Sequence, residues 1–542
     1  MIVNGNILNI FTDEIYPAEI KIKKGIIESV KEINKDFDNI IVPGFIDSHI
    51  HIESSMLTPS RFAEIVLKHG TTSVVADPHD IANVMGVEGI EYMINDSSKS
   101  PLNYFFTVPS CVPSTNFETS GANLDNEIVD ELLSRSNFVS LGEVMDYESV
   151  IRKDPKMMSK LAAAKKYRKP IDGCAPLLSG SRLENYIKEG INTDHKCTTS
   201  KEIIEKKRAG IKIMVREGSF TSSNDHFMYN HGDFIVNDDI SAYDLNNGHM
   251  DHCLRKAVSL GVDPIEAIRM VTLNPAEHYN LNRGSISVGK AADLVFIDNF
   301  NNFNVNKVIV NGNVIYKKEK LLYKANPSPV RNTISTSLKS LNDFNVCTKN
   351  HNSKCAIVNV INYKNNPLMT SKTTAKLNVN KGVVIPSVYD DILKISNVER
   401  YGGNSIANGF IKGFGIKNGA IASSVSHESH NIIVIGTNSK YMTQATNFII
   451  KNKGGLVAIS NHGHTELNLP IAGLMSDKPA HNIIKSYDNL NKFVKNIGCD
   501  LQNPFMVLSF MALLVIPELK ISNRGLFDVK KNKFIDVIEK EI

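Results

Sequence analysis

The chain opens with short runs in which apolar and polar residues alternate: Ile2-Val3, Ile7 to Ile10, Ala18 to Ile22, and Ile26 to Val30. A period of two turns one face of a strand toward a core. With a turn at Gly25, residues 1–42 read as a small sheet. The pattern returns at Ala292 to Ile297 and Val305 to Gly312. Between these flanks, strand and helix patterns alternate. Val74 to Ala76 is followed by a helical stretch from Val87 to Asn95. Asn137 to Leu141 is followed by one near Lys156 to Lys166. Ile211 to Val215 follows a charged helix over Ser200 to Ala209. Such alternation predicts a parallel sheet with helical crossovers. Residues 326–355 hold Pro327, Pro329 and many Ser, Thr and Asn, and read as a linker. A further domain is expected over 356–542, where Gly402-Gly403 and Gly413-Phe414-Gly415 are turn glycines. No phosphate-loop motif occurs there, and no internal repeat is visible.

Composition narrows the classes. At roughly 150 residues per domain, 542 residues suggest three or four units. The 61 basic and 57 acidic residues leave a net charge of only +4 and no concentrated basic face, which argues against nucleic-acid binding. The longest apolar run, Phe505 to Ile516, falls short of the ~20 residues that span a bilayer and reads as a buried helix; no membrane association is expected. Met1 to Asn6 lack the basic start of a signal peptide. Seven cysteines without C-x-x-C imply free thiols in a reducing cytoplasm. His51-Ile52-Glu53 fits half of the cytidine-deaminase zinc motif, but the P-C-x-x-C half is missing.

The densest chemistry lies at Val42-Pro43-Gly44-Phe45-Ile46-Asp47-Ser48-His49-Ile50-His51. His49 and His51 share one face of a strand end and can grip one metal ion. This stretch resembles the first-strand signature of the metal-dependent amidohydrolase superfamily. Further blocks resemble its adenine deaminase family: Ile52 to Met56, Asp77-Pro78-His79-Asp80 through Gly86, Gly142-Glu143-Val144-Met145-Asp146-Tyr147, Arg216-Glu217-Gly218-Ser219, and Leu469 to Asp477. The resemblance covers nearly the whole chain.

The resemblance implies an α/β fold: a distorted (β/α)8 TIM barrel over 43–285, a small β-sandwich composed of 1–42 and 286–325, and a C-terminal α+β domain. It implies hydrolysis of adenine to hypoxanthine and ammonia, in purine salvage, by a homo-oligomer. A divalent metal is implied, Mn2+ foremost with Fe2+ or Zn2+ as alternatives, at one or two ions per chain. By motif matching the ligands are His49, His51, Glu143, Cys174, His195 and Asp238. Glu143 would bridge two ions, one oxygen for each. A metal lowers the pKa of bound water to about 7, and Asp238 would take the released proton and pass it to the departing amine. His79, Asp80, Glu217 and Ser219 match blocks that would contact the purine.

Read singly, these residues have ordinary roles: Glu143 a solvated turn acid, His195 a hydrogen-bonded surface histidine, Asp238-Asp239 a turn or helix cap, Glu217 an exposed ion pair of little energetic value. Only the joint match, in order, favours the site. His427 and His430 match a family block but carry no assigned role, and His462 and His464 sit in a turn-like setting.

Four positions depart from the family pattern. Cys174 stands where histidine is usual, and its thiolate is a soft ligand. Lys196 stands where an acid is usual, and a cation there disfavours a nearby metal. Asp80 replaces Glu, and Asn237-Asp238-Asp239 replaces T-D-D after a shortened segment from Ser219. The set His49, His51, Asp238 is intact, while the set Glu143, Cys174, His195 is impaired. Two alternatives therefore stay open: an amidohydrolase for another purine or cyclic amide, and a diverged paralogue with little activity.

Overall fold

A computed structural model describes residues 1–219, 226–364 and 369–542. The chain forms two compact bodies. The first comprises Met1–His79, Ile90–Cys111 and Leu124–Ser328; the second comprises Asp80–Gly89, Val112–Asn123 and Pro329–Ile542.

In the first body, both flanks of the barrel join in one eight-stranded sheet. The seam is antiparallel, with Leu294–Ile297 against Ile40–Pro43 and Leu294 opposite Pro43. Alternate residues of these strands, among them Ile7, Ile20, Ile41, Leu294 and Ile309, form one buried cluster. This is the period-two pattern of the sequence made physical.

The barrel has eight strands: β1 (Phe45–Ile50), β2 (Thr71–Ala76), β3 (Asn103–Pro109), β4 (Phe138–Val144), β5 (Ile171–Gly173), β6 (Thr193–Asp194), β7 (Lys212–Arg216) and β8 (Phe234–Val236). β1 to β5 pair in parallel, as do β6 to β8. The Asn192 N–H donates to the Ile171 carbonyl at 3.1 Å and joins the two sheets. A parallel bridge between Ile50 and Asp238 closes the ring. The result is the distorted (β/α)8 barrel that the family resemblance implied, built on the parallel sheet expected from strand–helix alternation. β1 and β2 are buried at every position; β2 reads as an apolar and small-residue run, while β1 carries Asp47 and His49 into the interior. Gly44 enters β1 so close to β2 that a Cβ there would lie 2.1 Å from Thr72 Oγ1. Ile46, Val75, Met214, Phe234 and Val236 pack with Ala276, Tyr279 and Leu281 in the barrel core.

The second body is built on a ten-stranded, largely antiparallel sheet, with a separate three-stranded sheet over Leu519–Ser522, Gly525–Asp528 and Lys533–Ile535. The helix Ser439–Asn452 packs its buried Met442, Ala445, Ile449 and Ile450 onto Ala420, Ala422, Val434 and Val457 of that sheet. Ile334 and Phe344 join the same cluster. The polar span read as a linker thus sends two apolar anchors into the core. The apolar run beginning at Phe505 forms the buried helix Pro504–Phe510. Among the described residues, no helix is long and apolar enough to cross a membrane.

Phe234 is fully buried at the centre of the barrel cluster. Phe234→Ala is expected to cost about 3–5 kcal/mol through lost burial and a residual cavity, measured by denaturant unfolding; a loss under 1 kcal/mol would contradict this packing.

Candidate metal centre

Six of the expected residues lie at the C-terminal ends of barrel strands. His49 is in the last turns of β1 and His51 directly follows it; Glu143 is near the end of β4; Cys174, His195 and Asp238 follow β5, β6 and β8. Distant parts of the sequence meet here because every parallel strand ends on the same rim.

Donor atoms of His49, Glu143, His195 and Asp238 all lie within 4.8 Å of one another, and those of His51, His79 and Glu143 form a second such group. His49 Nε2 is 3.3 Å from Glu143 Oε1 and 3.4 Å from Asp238 Oδ1. His51 Nε2 is 2.7 Å from Glu143 Oε1 and 3.2 Å from Asp238 Oδ1. His195 Nε2 is 3.4 Å from the other Glu143 oxygen, Oε2. His79 Nε2 is 3.8 Å from Glu143 Oε1. Every one of these side chains is buried, which removes the readings of Glu143 as a solvated acid and His195 as a surface histidine.

The donor chemistry fits a divalent cation. His49 Nε2, Glu143 Oε1, His195 Nε2 and Asp238 Oδ1 are buried without a partner in hydrogen-bond geometry, and native proteins rarely leave such atoms unsatisfied. His51 Nδ1 lies 3.0 Å from the Asp77 carbonyl. A carbonyl only accepts, so Nδ1 carries the hydrogen, which leaves Nε2 as the atom that can face a cation, the usual support of a metal-binding imidazole. Burial alone would lower the pKa of His49, but the carboxylates of Asp238 and Glu143 outweigh it and raise it to about 9. His51 is likewise raised well above its ordinary value. Burial opposes ionisation of Glu143, yet His195, Lys196 and His49 hold it well below the carboxylate range.

Asp238 is held rigidly. Its N–H donates to the His49 carbonyl at 2.9 Å and its carbonyl accepts from the His51 N–H at 3.0 Å. Its φ of 59° lies in the left-handed region, which aspartate tolerates better than most residues. A Cβ at the neighbouring Gly218 would come within 2.6 Å of the Asn237 and Asp239 carbonyls, so the loop after β7 needs glycine. Asp238 Oδ2 receives two cations, Lys196 Nζ at 2.8 Å and Arg216 Nη1 at 2.9 Å.

Similarity to known proteins bears on this centre. The amidohydrolase family model matches residues 40–230 and 190–315, and the adenine deaminase C-terminal domain model matches residues 367–533. A curated adenine deaminase of Methanosphaera stadtmanae is 62% identical over 541 residues, covering 100% of both chains. The chain belongs to the adenine deaminase family. An adenine deaminase of Methanothermobacter thermautotrophicus is 45% identical over 99% of this chain and 100% of its own, and one of Borreliella afzelii is 41% identical over 98% and 99%.

Two positions where this chain departs from the family pattern have defined surroundings. Cys174 is buried beyond β5, but its sulfur belongs to no donor group found among the described residues. Burial and the Glu143 charge push its thiol well above the ordinary range. Lys196 aims its ammonium at Asp238. A buried charged knot holds both loops. Lys206 Nζ reaches the Ala175 carbonyl (2.7 Å), Asp194 Oδ2 (2.8 Å) and Glu202 Oε1 (2.7 Å). Asp194 also accepts from the Lys196 and Ala175 N–H groups. Sequence reading missed Lys206 and the Arg216–Asp238 pair. Lys206-type contacts leave no spacing signal, because their partners come from separate strands.

The other expected residues have these settings. Glu217 is buried, not exposed, with Lys256 Nζ 2.7 Å from its Oε2. Ser219 Oγ accepts from the Ser241 N–H at 2.8 Å. Much of the shortened segment after Ser219, residues 220–225, lies outside the described residues. His464 lies in the edge strand Gly463–Asn468, 3.4 Å from Glu466. Asp80 belongs to the second body and accepts from His430 Nε2 at 2.7 Å. His430 Nδ1 accepts from the Ser426 N–H, so its hydrogen sits on Nε2 and it donates to Asp80.

Burial lowers His430 to about 4, against the attraction of Asp80. A histidine whose pKa is lower in the folded state contributes stability above its unfolded pKa of about 6.5, and loses it as pH falls toward 4. Lowering the pH from 7 to 5 is expected to remove roughly 2 kcal/mol through this group. Denaturant unfolding of wild type and His430→Gln at both pH values checks this; equal pH slopes in the two proteins would refute it.

Proposed function

We propose that the chain hydrolyses adenine, taking up water and releasing hypoxanthine and ammonia. The observation that carries this is the ring of buried, unsatisfied donors on His49, Glu143, His195 and Asp238 at the barrel rim, with His51 beside it, in a chain that matches a curated adenine deaminase from end to end. His49, His51, Glu143 and Asp238 would hold a divalent ion, Mn2+ foremost, with His195 facing the far oxygen of Glu143. When bound, such an ion supplies a water-derived nucleophile at neutral pH.

The remaining work falls to the chain. The strand ends orient the purine, with His79, Glu217 and Ser219 as its polar neighbours in this body. Asp238 moves the proton: Oδ1 faces the reaction space while Oδ2 stays anchored on Lys196 and Arg216. It takes a proton from the attacking water and hands it to the amino group leaving C6, as general base and then acid. Glu143 balances charge opposite it. The seven cysteines are all free, which supports a reducing compartment such as the cytoplasm.

The placement of Lys196 favours a second reading, a diverged family member that binds a purine with little turnover. Ammonia release from adenine by Mn2+-loaded protein, with bound metal quantified in the same sample, separates the two. Turnover is expected, and metal-loaded protein that releases no ammonia would sink the adenine reading. Asp238→Asn is expected to lower kcat at least 100-fold, since a positioned acid–base group is worth about 10²–10⁴. His51→Ala is expected to lose bound Mn2+ on gel filtration; full retention would remove His51 from the centre.

A further inference from the structure

We infer that this centre holds one divalent ion, and that the Lys196 ammonium takes the place of a second. The inference rests on the metal reading above and extends it to the number of ions.

Ligand atoms about 2.0–2.2 Å from one four-coordinate ion sit roughly 3.3–3.6 Å apart. His49 Nε2, His51 Nε2 and Asp238 Oδ1, with Glu143 Oε1, have separations of 3.3, 3.4 and 3.2 Å, with one closer contact of 2.7 Å. They make one ion's set, and each residue gives it one atom. The second group of donors, His51, His79 and Glu143, shares two of its three residues with that set.

What is left over is meagre. Glu143 Oε2 and His195 Nε2 face each other at 3.4 Å. The sulfur of Cys174 is outside every donor group found among the described residues. Asp238 Oδ2, the remaining carboxylate oxygen, is occupied by Lys196 Nζ at 2.8 Å and Arg216 Nη1 at 2.9 Å. Zinc-type sites use at least three protein ligands; this remainder offers Glu143 Oε2 and His195 Nε2 beside a positive charge, and His79 Nε2 lies 3.8 Å from Glu143 Oε1, the oxygen already given to the first ion. The backbone that carries the Lys196 side chain is tied down. Its own N–H donates to Asp194 Oδ1 at 2.7 Å, and Asp194 is gripped by the buried Lys206. The lysine therefore neutralises the carboxylate that a second ion would otherwise neutralise.

The test titrates chelator-stripped, full-length protein with Mn2+ alone, by calorimetry and by metal content after gel filtration. Wild type is expected to bind one ion per chain. Two ions would overturn the inference while leaving the metal reading standing; none would overturn both. A protein that binds one ion but leaves adenine untouched would fail the adenine reading alone. Lys196→Glu, which turns the ammonium into a third donor, is expected to admit a second ion. Lys196→Gln, which removes the charge at similar size, is expected to tighten the Kd of the single ion about tenfold. Either variant keeping both the wild-type stoichiometry and the wild-type Kd would show that Lys196 does not stand in for an ion.

Discussion

Everything at the barrel rim turns on how one buried carboxylate is neutralised. Asp238 has no access to solvent, and an ionised carboxylate in such surroundings survives only with compensating charge. Its two oxygens solve the problem differently. Oδ2 is committed to Lys196 and Arg216, while Oδ1 looks into a cluster of imidazoles and a second carboxylate that is balanced only when protons or a cation are added. The division leaves one oxygen of the residue anchored and the other facing the donor cluster. It is enforced by backbone: the left-handed Asp238 is clamped to both sides of β1 through His49 and His51.

The barrel makes this arrangement affordable in entropy. Each participating side chain leaves from a strand end or the first residues after it, so the geometry is inherited from the strand register and not from long loops. The supports are equally local. Asp77 orients His51 through a backbone carbonyl, and Lys206 ties the loops after β5 and β6 to the helix Ser200–Arg208. Breaking a buried charge knot of this kind is costly because the partners left behind are uncompensated. The backbone beside His195 is held through Asp194, which accepts from the Lys196 N–H.

The second body follows a different logic. Its sheet is mostly antiparallel, its helices pack on apolar alternation, and its polar interior is organised around single buried groups such as Arg400 and His430. Arg400 donates to the Ser424, His430 and Ala472 carbonyls, so three loop segments converge on one guanidinium. His430 in turn presents its one hydrogen to Asp80. Hydrogen-bonded order of this sort specifies loop conformation where apolar packing alone would leave choices.

Much of this was legible in the chain. The period-two flanks and the strand–helix alternation pointed to a parallel sheet between two flanking strand sets, because strand periodicity leaves few alternatives; the barrel and the candidate centre came from the family resemblance of Pro43 to His51 and the blocks after it. Glu143, His195 and Asp238 could be proposed in order from their motifs. What the sequence left undecided was the balance of charge. Nothing in residue spacing says that Lys196 and Arg216 share one oxygen of Asp238, that Cys174 stays out of the donor groups, or that Ile334 and Phe344 turn a polar linker into part of a core. Those facts belong to three dimensions, because they depend on side chains from separate strands meeting within a few ångströms. A pattern along one strand reports which way a residue faces; only the closed barrel decides what it faces.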